Sequence, residues 1–524
     1  MRSFVHKAPP PNALASSMCV SPLAWFRRDN PRLLGLTWPR KTNMRRLLVY
    51  ALILAAFGLG ISLTLKQGRK LPIPQTVVSS LPLSATEAGS VPGVEPSVSL
   101  VENLRENLQD PLTRLFVQLI LIIVVARLCG ALTMTIRQPA VVGEMIAGIL
   151  LGPSLLGWLW PDVFRFVFPA SSLGSLRLFS QIGVCLFMFV VGMELDLSQL
   201  KQQARRAVLV SQASILLPFL MGMVSALFLF STFAVPPTTF PTFALFIGVS
   251  MSITAFPVLA RILEERGLTR SRLGVTALIC AAMNDVTAWC VLALVVAIAK
   301  ARSVASAGFN IGLVLLFVGV MLFWIKPRSQ RWMDRSLQAD GKPGKGAMAS
   351  VVTFVFASAL ATDVMGIHAL FGAFLAGVVM PAHGELREFL RLRLEHFSSV
   401  FLLPLFFAFT GLRTQFGLLN DTSGWLICAA LVVIATAGKL GGAMLTARLT
   451  GVNWTDSFAL GALMNTRGLV ELIALNIGYD LRILSPRIFA MLVIMALVTT
   501  CMTGPLLTFS DYLRARKRLA VNPA

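Results

Sequence analysis

The sequence predicts an all-α polytopic membrane protein, on three observations. Of 524 residues, 56% are hydrophobic and 13% charged, about half the charged share of a soluble chain, and the mean hydropathy is +0.76. Apolar stretches of about 20 residues, each long enough to cross a bilayer as a helix, recur from one end to the other. Lysine and arginine gather in alternate connections, the pattern that membrane topology produces. The net charge of +22 therefore reflects loop placement, and no nucleic-acid partner is expected. The seven cysteines lack metal-ligand spacing and mostly read as small apolar fillers inside spans. There is no Walker loop, nucleotide fingerprint or zinc motif, so neither a cofactor nor an enzymatic reaction is expected.

In chain order, residues 1–43 carry no structural period and read as a leader or as sequence ahead of the true start at Met44, with an organellar targeting segment as the other reading. Residues 44–66 contain an apolar run, Leu47–Leu65, behind Arg45 and Arg46. It is either a signal peptide or an extra N-terminal helix, and the lack of a small-x-small cleavage site favours the helix. The Pro/Ser-rich stretch 67–112 is an extracytoplasmic linker. Residues 113–510 form the transmembrane core, with about thirteen spans near 113–133, 139–157, 175–193, 206–230, 240–264, 273–299, 306–325, 347–364, 366–382, 397–413, 424–447, 457–478 and 488–509. Basic residues fill QLKQQARR (199–206), EERGLTRSR (264–272), KPRSQRWMDRSLQADGKPGK (326–345), ELREFLRLRLEH (385–396) and the tail 511–524, while STFAVPPTTFP (231–241) and TQFGLLNDTSG (414–424) have none. Every second loop is basic and hence cytoplasmic, so the core starts outside and ends inside.

Thirteen spans divide as six, one and six. The fifth of the first half contains SITAFPV (252–258), where Pro257 lacks a backbone donor and disfavours helix at Phe256. The fifth of the second half contains NTRGLVE (465–471), with Gly468 among polar residues. Interrupted helices at matching places in two halves predict an inverted-repeat transporter, with its substrate site near the midplane where the breaks meet.

The ionisable residues within spans are Arg127, Glu144, Arg261, Asp285, Asp363, Lys439, Arg467 and Glu471. Charges at bilayer depth are costly and line pathways or pair with one another. Asp285, in AAMNDVTAWC (281–290), lies halfway along its span. Desolvation penalises its ionised form, and a partly dehydrated metal cation is costly too. A carboxylate there holds either a proton or a cation, and that mutual exclusion is the logic of exchange. A static salt bridge to Lys439 is the alternative use. Asn284 offers a neutral oxygen or local packing. Thr254 offers a hydroxyl and carbonyls freed by Pro257, or a back-bond to its own helix. Lys439, in ATAGKLGGAM (435–444), reads as a charge-balancing group. Arg467 and Glu471, four apart, pair locally or line the pathway. Asp363 is interfacial, and Glu144 shows no partner in the sequence. Small-residue faces such as GAFLAG (372–377) serve close helix packing.

These pieces resemble the monovalent cation:proton antiporter family in its second branch, which includes plant cation/proton exchangers and Kef-type potassium efflux systems. The matching stretches are GEMIAGILLGPSLLG (143–157), GMELDL after the third span, SITAFPVLARILEERGL (252–268), AAMNDVTAWC, GIHALFGAFLAG (366–377), PLFFAFTGLRT (404–414), GKLGG (438–442) and MNTRGLVELIALNIG (464–478). The resemblance implies a homodimer whose six-helix core moves like an elevator against a scaffold. It assigns cation and proton binding to Asp285, with Asn284 and Thr254 nearby and Lys439 opposite. Two departures stand out. Some members have two adjacent acids where this chain has Asn284–Asp285, and many carry large cytosolic C-terminal domains. This chain stops about fifteen residues after its last predicted span, so no built-in nucleotide-binding regulatory domain is expected. The expected function is Na⁺ or K⁺ exchange for H⁺ in an inner (plasma) membrane, with the C-terminus cytoplasmic. A gated monovalent cation channel and a non-transporting sensor are the rival readings.

Overall fold

The computed structural model describes residues 40–68, 107–194, 204–300, 304–331, 345–381 and 385–521, apart from isolated positions within those ranges. The 1–43 leader up to residue 39, most of the 67–112 linker and most of the basic loop 326–345 lie outside the described residues. The chain divides into two units, with the boundary after Gly58. The helix α1, Arg40–Gly68, begins in the first.

Within the second unit the apolar runs become helices in the expected order. They are α2 (Pro111–Thr135), α3 (Ala140–Leu151), α4 (Leu173–Glu194), α5 (Ala204–Phe233), α6 (Phe240–Ser252), α7 (Phe256–Glu265), α8 (Arg272–Lys300), α9 (Val304–Gly319), α10 (Lys345–Val364), α11 (Ala369–Val378), α12 (Glu385–Phe397), α13 (Leu403–Arg413), α14 (Thr422–Leu449), α15 (Trp454–Met464), α16 (Leu469–Asp480) and α17 (Pro486–Val521). Among the described residues, eleven helices are long and apolar enough to cross a membrane, or twelve when α15 and α16 are taken as one bent span. The stretch expected to span at 366–382 forms only the ten-residue α11, about 15 Å of helix and too short to cross. Gly366, at φ +79°, turns the chain back after α10, and His368 Nδ1 accepts from Leu370 N to start α11. The ladder of intrahelical bonds therefore begins three residues later than the apolar run.

The helices pack as two sets. In one, α5 and α14 are central and contact α6, α8, α15 and α17, with α7 and α16 attached through α8 and α17. In the other, α3, α4 and α13 contact one another's neighbours α2, α11 and α10. Backbones of the two sets approach at few places, α3 against α17 being one, and the sets meet mainly through side chains, as where Trp289 of α8 stacks on Phe374 of α11. Glycines let backbones touch inside the second set: a Cβ on Gly411 of α13 would lie 2.0 Å from Gly148 O of α3. By contrast, only 22% of the apolar window of α2 is buried and 17% of that in Gly308–Ser329. Those helices turn most of their side chains outward, where lipid is their solvent.

Candidate functional site

The two predicted breaks form and cross. Ile253 and Ala255 are extended between α6 and α7, because Pro257 cannot donate to the carbonyl four residues back and Phe256 resists a preceding helical turn. Asn465–Gly468 separates α15 from α16, and the pair bends by 43°. At the crossing Ala255 N donates to Thr466 O at 3.1 Å, and Thr254 Oγ1 donates to Met464 O at 3.1 Å. Gly468 sits at φ +158°, and a Cβ there would lie 2.8 Å from Val258 Cγ2.

Broken helices expose backbone groups that must be satisfied inside the protein. The C-terminal carbonyls of α6 are served by two buried cations. Arg467 Nη1 donates to Ser250 O at 2.9 Å and Nη2 to Met251 O at 2.7 Å. Lys439 Nζ donates to Ser252 O and to Thr254 Oγ1, each at 2.5 Å. This is the end of a helix at which positive charge is stabilised. The second break is held from behind by α17: Arg467 N donates to Thr500 Oγ1 at 3.1 Å, Thr500 Oγ1 donates to Arg467 O at 2.9 Å, and Asn465 Nδ2 donates to Thr499 O at 3.4 Å.

Asp285, Lys439, Arg467 and Glu471 are all fully buried, two carboxyl groups and two basic groups around one crossing. Asp285, halfway along α8, accepts no hydrogen bond on either carboxylate oxygen. The polar groups beside it are the Phe256 backbone N–H, at the first turn of α7, and the Lys439 side chain, neither in hydrogen-bond geometry with its oxygens. Among the described residues no ion pair joins Asp285 to Lys439, so the static bridge is not the arrangement present; the lysine is bound to helix-end oxygens instead. Asn284 Oδ1 accepts from Thr254 N at 3.2 Å, and its Nδ2 donates to Ser214 Oγ at 3.0 Å. Its amide is thus a strut between α5, α8 and the first break.

Arg467 and Glu471 do pair, at 3.1 Å with both side chains fully buried. Arg467 lies in the break itself rather than on the same helix. Glu144, which had no visible partner, is buried in α3 and faces Arg127 of α2 at 3.8 Å. Asp363 is exposed at the end of α10, and Arg261 pairs with Glu265 on the surface at 3.3 Å. Sequence reasoning missed Ser214 and Thr500. Ser214 stands in an apolar run with nothing to mark it, whereas the threonines of VTTCMTG (498–504) were a polar cluster in the last span. Among the described residues there is no group of three or more His, Cys, Asp or Glu able to hold a resident metal.

Residues 120–509 match the family model described as sodium/hydrogen exchanger, transmembrane. The chain belongs to the sodium/hydrogen exchanger family. Members of this family are transporters. The chain is similar to the Na(+)/H(+) antiporter NhaS4 of Synechocystis, 43% identical over 76% of this chain and 97% of that protein. It is also similar to cation/H(+) antiporter 20 of Arabidopsis thaliana, 40% identical over 75% of this chain and 48% of the relative. The K(+)/H(+) antiporter 1 of Saccharomyces cerevisiae is 35% identical over 84% of this chain and 50% of its own length. The chain thus spans about half the length of the plant and yeast relatives. Among solved structures, the sodium proton antiporter MjNhaP1 of Methanocaldococcus jannaschii superposes with a TM-score of 0.57, covering 77% of this chain and all of that one at 13% identity, a likeness of fold.

Proposed function

We propose that this exchanger moves Na⁺ or K⁺ against H⁺ by secondary-active antiport, with the two ions competing for Asp285. The observation that carries the reading is the fully buried Asp285 carboxylate, with no hydrogen bond on either oxygen, beside two crossed helix breaks whose helix-end carbonyls are already served by Arg467 and Lys439. A carboxylate so placed needs a proton or a metal cation to cross low-dielectric surroundings. It has room for one of them electrostatically, and not for both. Lys439, held at the end of α6, is the charge-balancing group; Thr254 and Asn284 shape the break beside Asp285. The helix set containing both breaks carries the site, and an interface made mainly by side chains, with few backbone approaches, suits its movement against the other. One pH unit supplies about 1.4 kcal/mol per proton, and 100 mV adds about 2.3 kcal/mol per net charge moved. The assembly we propose is a homodimer in an inner (plasma) membrane with the C-terminus cytoplasmic.

Proton flux in sealed vesicles tests this. Flux driven by Na⁺ or K⁺ in the wild type and lost in Asp285→Asn supports antiport at this residue. Cation flux without proton movement, with a current that follows voltage, would instead mean a channel. Unchanged exchange in Asp285→Asn would remove the site from Asp285.

A further inference from the structure

Trp289 lies four residues after Asp285, so the two share one face of α8, a turn apart. Helical side chains lean toward the N-terminus, so the indole covers the turn that carries Asp285. It is 2% exposed, and its Nε1–H has no hydrogen-bond partner in the protein. A buried donor left unpaired is destabilising, so a tryptophan here needs a reason that phenylalanine would not serve. Packing alone does not supply one: the ring stacks on Phe374 of α11, centroids 5.7 Å apart and planes at 25°, and a phenyl ring would stack as well. One turn below, the Asp285 carboxylate is a buried acceptor with no donor. An unserved donor and an unserved acceptor therefore occupy the same buried face.

We propose that Trp289 is a positioning residue for the exchange reaction, its indole N–H being the donor that serves the ionised Asp285 carboxylate, across one water, when neither proton nor cation is on it. The inference rests on the reading of Asp285 as the exchange site. The neighbours that also act on that carboxylate are Lys439 from α14, the Phe256 N–H from α7 and, through Lys439, Arg467 and Glu471 beside the second break. Phe374, from the opposing helix set, brings no charge. Trp289 is thus the donor that comes from the same helix as Asp285, one turn on, and it is held there by its stack on Phe374 of the other helix set. Without it the ionised form is less well served, protons hold on more tightly, and exchange needs a more alkaline medium to release them.

The test is the pH profile of cation-driven proton flux in vesicles for Trp289→Phe, with Phe374→Leu and Asp285→Asn alongside. Trp289→Phe keeps a stacking ring and removes only the N–H. Its half-maximal exchange is expected to move about one pH unit toward alkaline, the scale of a hydrogen bond to a charged group. Phe374→Leu, which loosens the stack and keeps the donor, is expected to leave that midpoint in place. An unmoved profile in Trp289→Phe, or the same shift in Phe374→Leu, overturns the proposal. If Trp289→Phe does not fold, infrared difference spectra of the wild type decide: the indole N–H band is expected to change between cation-free alkaline and acidic samples, and a constant band overturns the proposal. Active Asp285→Asn would defeat the exchange-site reading itself. Inactive Asp285→Asn with an unmoved Trp289→Phe profile defeats only the present inference.

Discussion

Arg467 makes three charge-assisted hydrogen bonds while fully buried, two to the end of α6 and one to Glu471. Removing one member of such a set leaves the other charge stranded. Arg467→Met is therefore expected to destabilise the protein by about 3–5 kcal/mol, read as a lowered melting temperature in detergent. Arg467→Met with Glu471→Met should recover part of that loss if the pair is structural. If it lies on the pathway, stability returns and exchange does not. Asn284→Ala is a second residue-scale case. It strands the Thr254 N–H and cuts the tie to Ser214, whose hydroxyl keeps its bond to Ser211 O, so the expected effect is a higher cation KM from a loosened break, with Asp285 still present. An unchanged KM would show that the strut is dispensable. The sequence named both Arg467 and Asn284, yet left each with two readings, because a side chain's partner across 70 or 217 positions leaves no trace in local spacing.

At the scale of elements, the crossing of the breaks is what places these residues together. Gly468 passes Val258 with no room for a Cβ and in a backbone region that side chains rarely adopt. Gly468→Ala is expected to cost about 1–3 kcal/mol and to lower exchange. Adding Val258→Ala should relieve the contact but not the backbone strain, so recovery should be partial; full activity of Gly468→Ala alone would contradict the tight crossing. Both breaks were legible in the sequence, from Pro257 and from Gly468 within NTRG, since proline and glycine act through their own backbones. The threonines of α17 that brace the second break were not, because hydroxyl back-bonding and bracing look alike in a sequence. The 366–382 stretch misled for a related reason. Its apolar run is long enough for a span, but the positive φ of Gly366 and the late start at His368 shorten the helix to α11.

At the scale of the whole second unit, polar bridges among the described residues join the helix sets at two places. Arg413 of α13 binds Asp480 of α16 at 2.8 Å and Asn476 Oδ1 at 3.0 Å, while Arg177 of α4 reaches Asp480 at 3.2 Å. Arg413 also lies over the rings of Phe409 and Tyr479. Near the far ends of these helices Gln138 Nε2 donates to Cys501 O at 3.2 Å, beside a cavity of about 560 Å³ lined by Met134, Gln138, Glu265 and Arg266. One end is thus clamped by charged groups, and the other holds space between the sets. Asp480→Asn weakens the clamp by about 1–2 kcal/mol, a shift of about 5- to 30-fold between arrangements. Spin-label distances between α2 and α17 should then show a second population; a single unchanged distance would mean that the clamp does not select the arrangement. Alternating loop charge and span order were visible in the sequence because the bilayer imposes them on every segment. The clamp was not, since Arg413, Asn476 and Asp480 are ordinary span-end residues until the fold brings them together.

Rival occupancy of Asp285 is tested most directly by equilibrium binding of radiolabelled Na⁺ or K⁺ to purified protein across pH. Under competition the apparent affinity should fall about tenfold for each pH unit below the titration of the site, and Asp285→Asn should abolish the pH-dependent binding. Cation affinity that stays constant with pH, or binding with no proton released, would contradict exchange at this carboxylate.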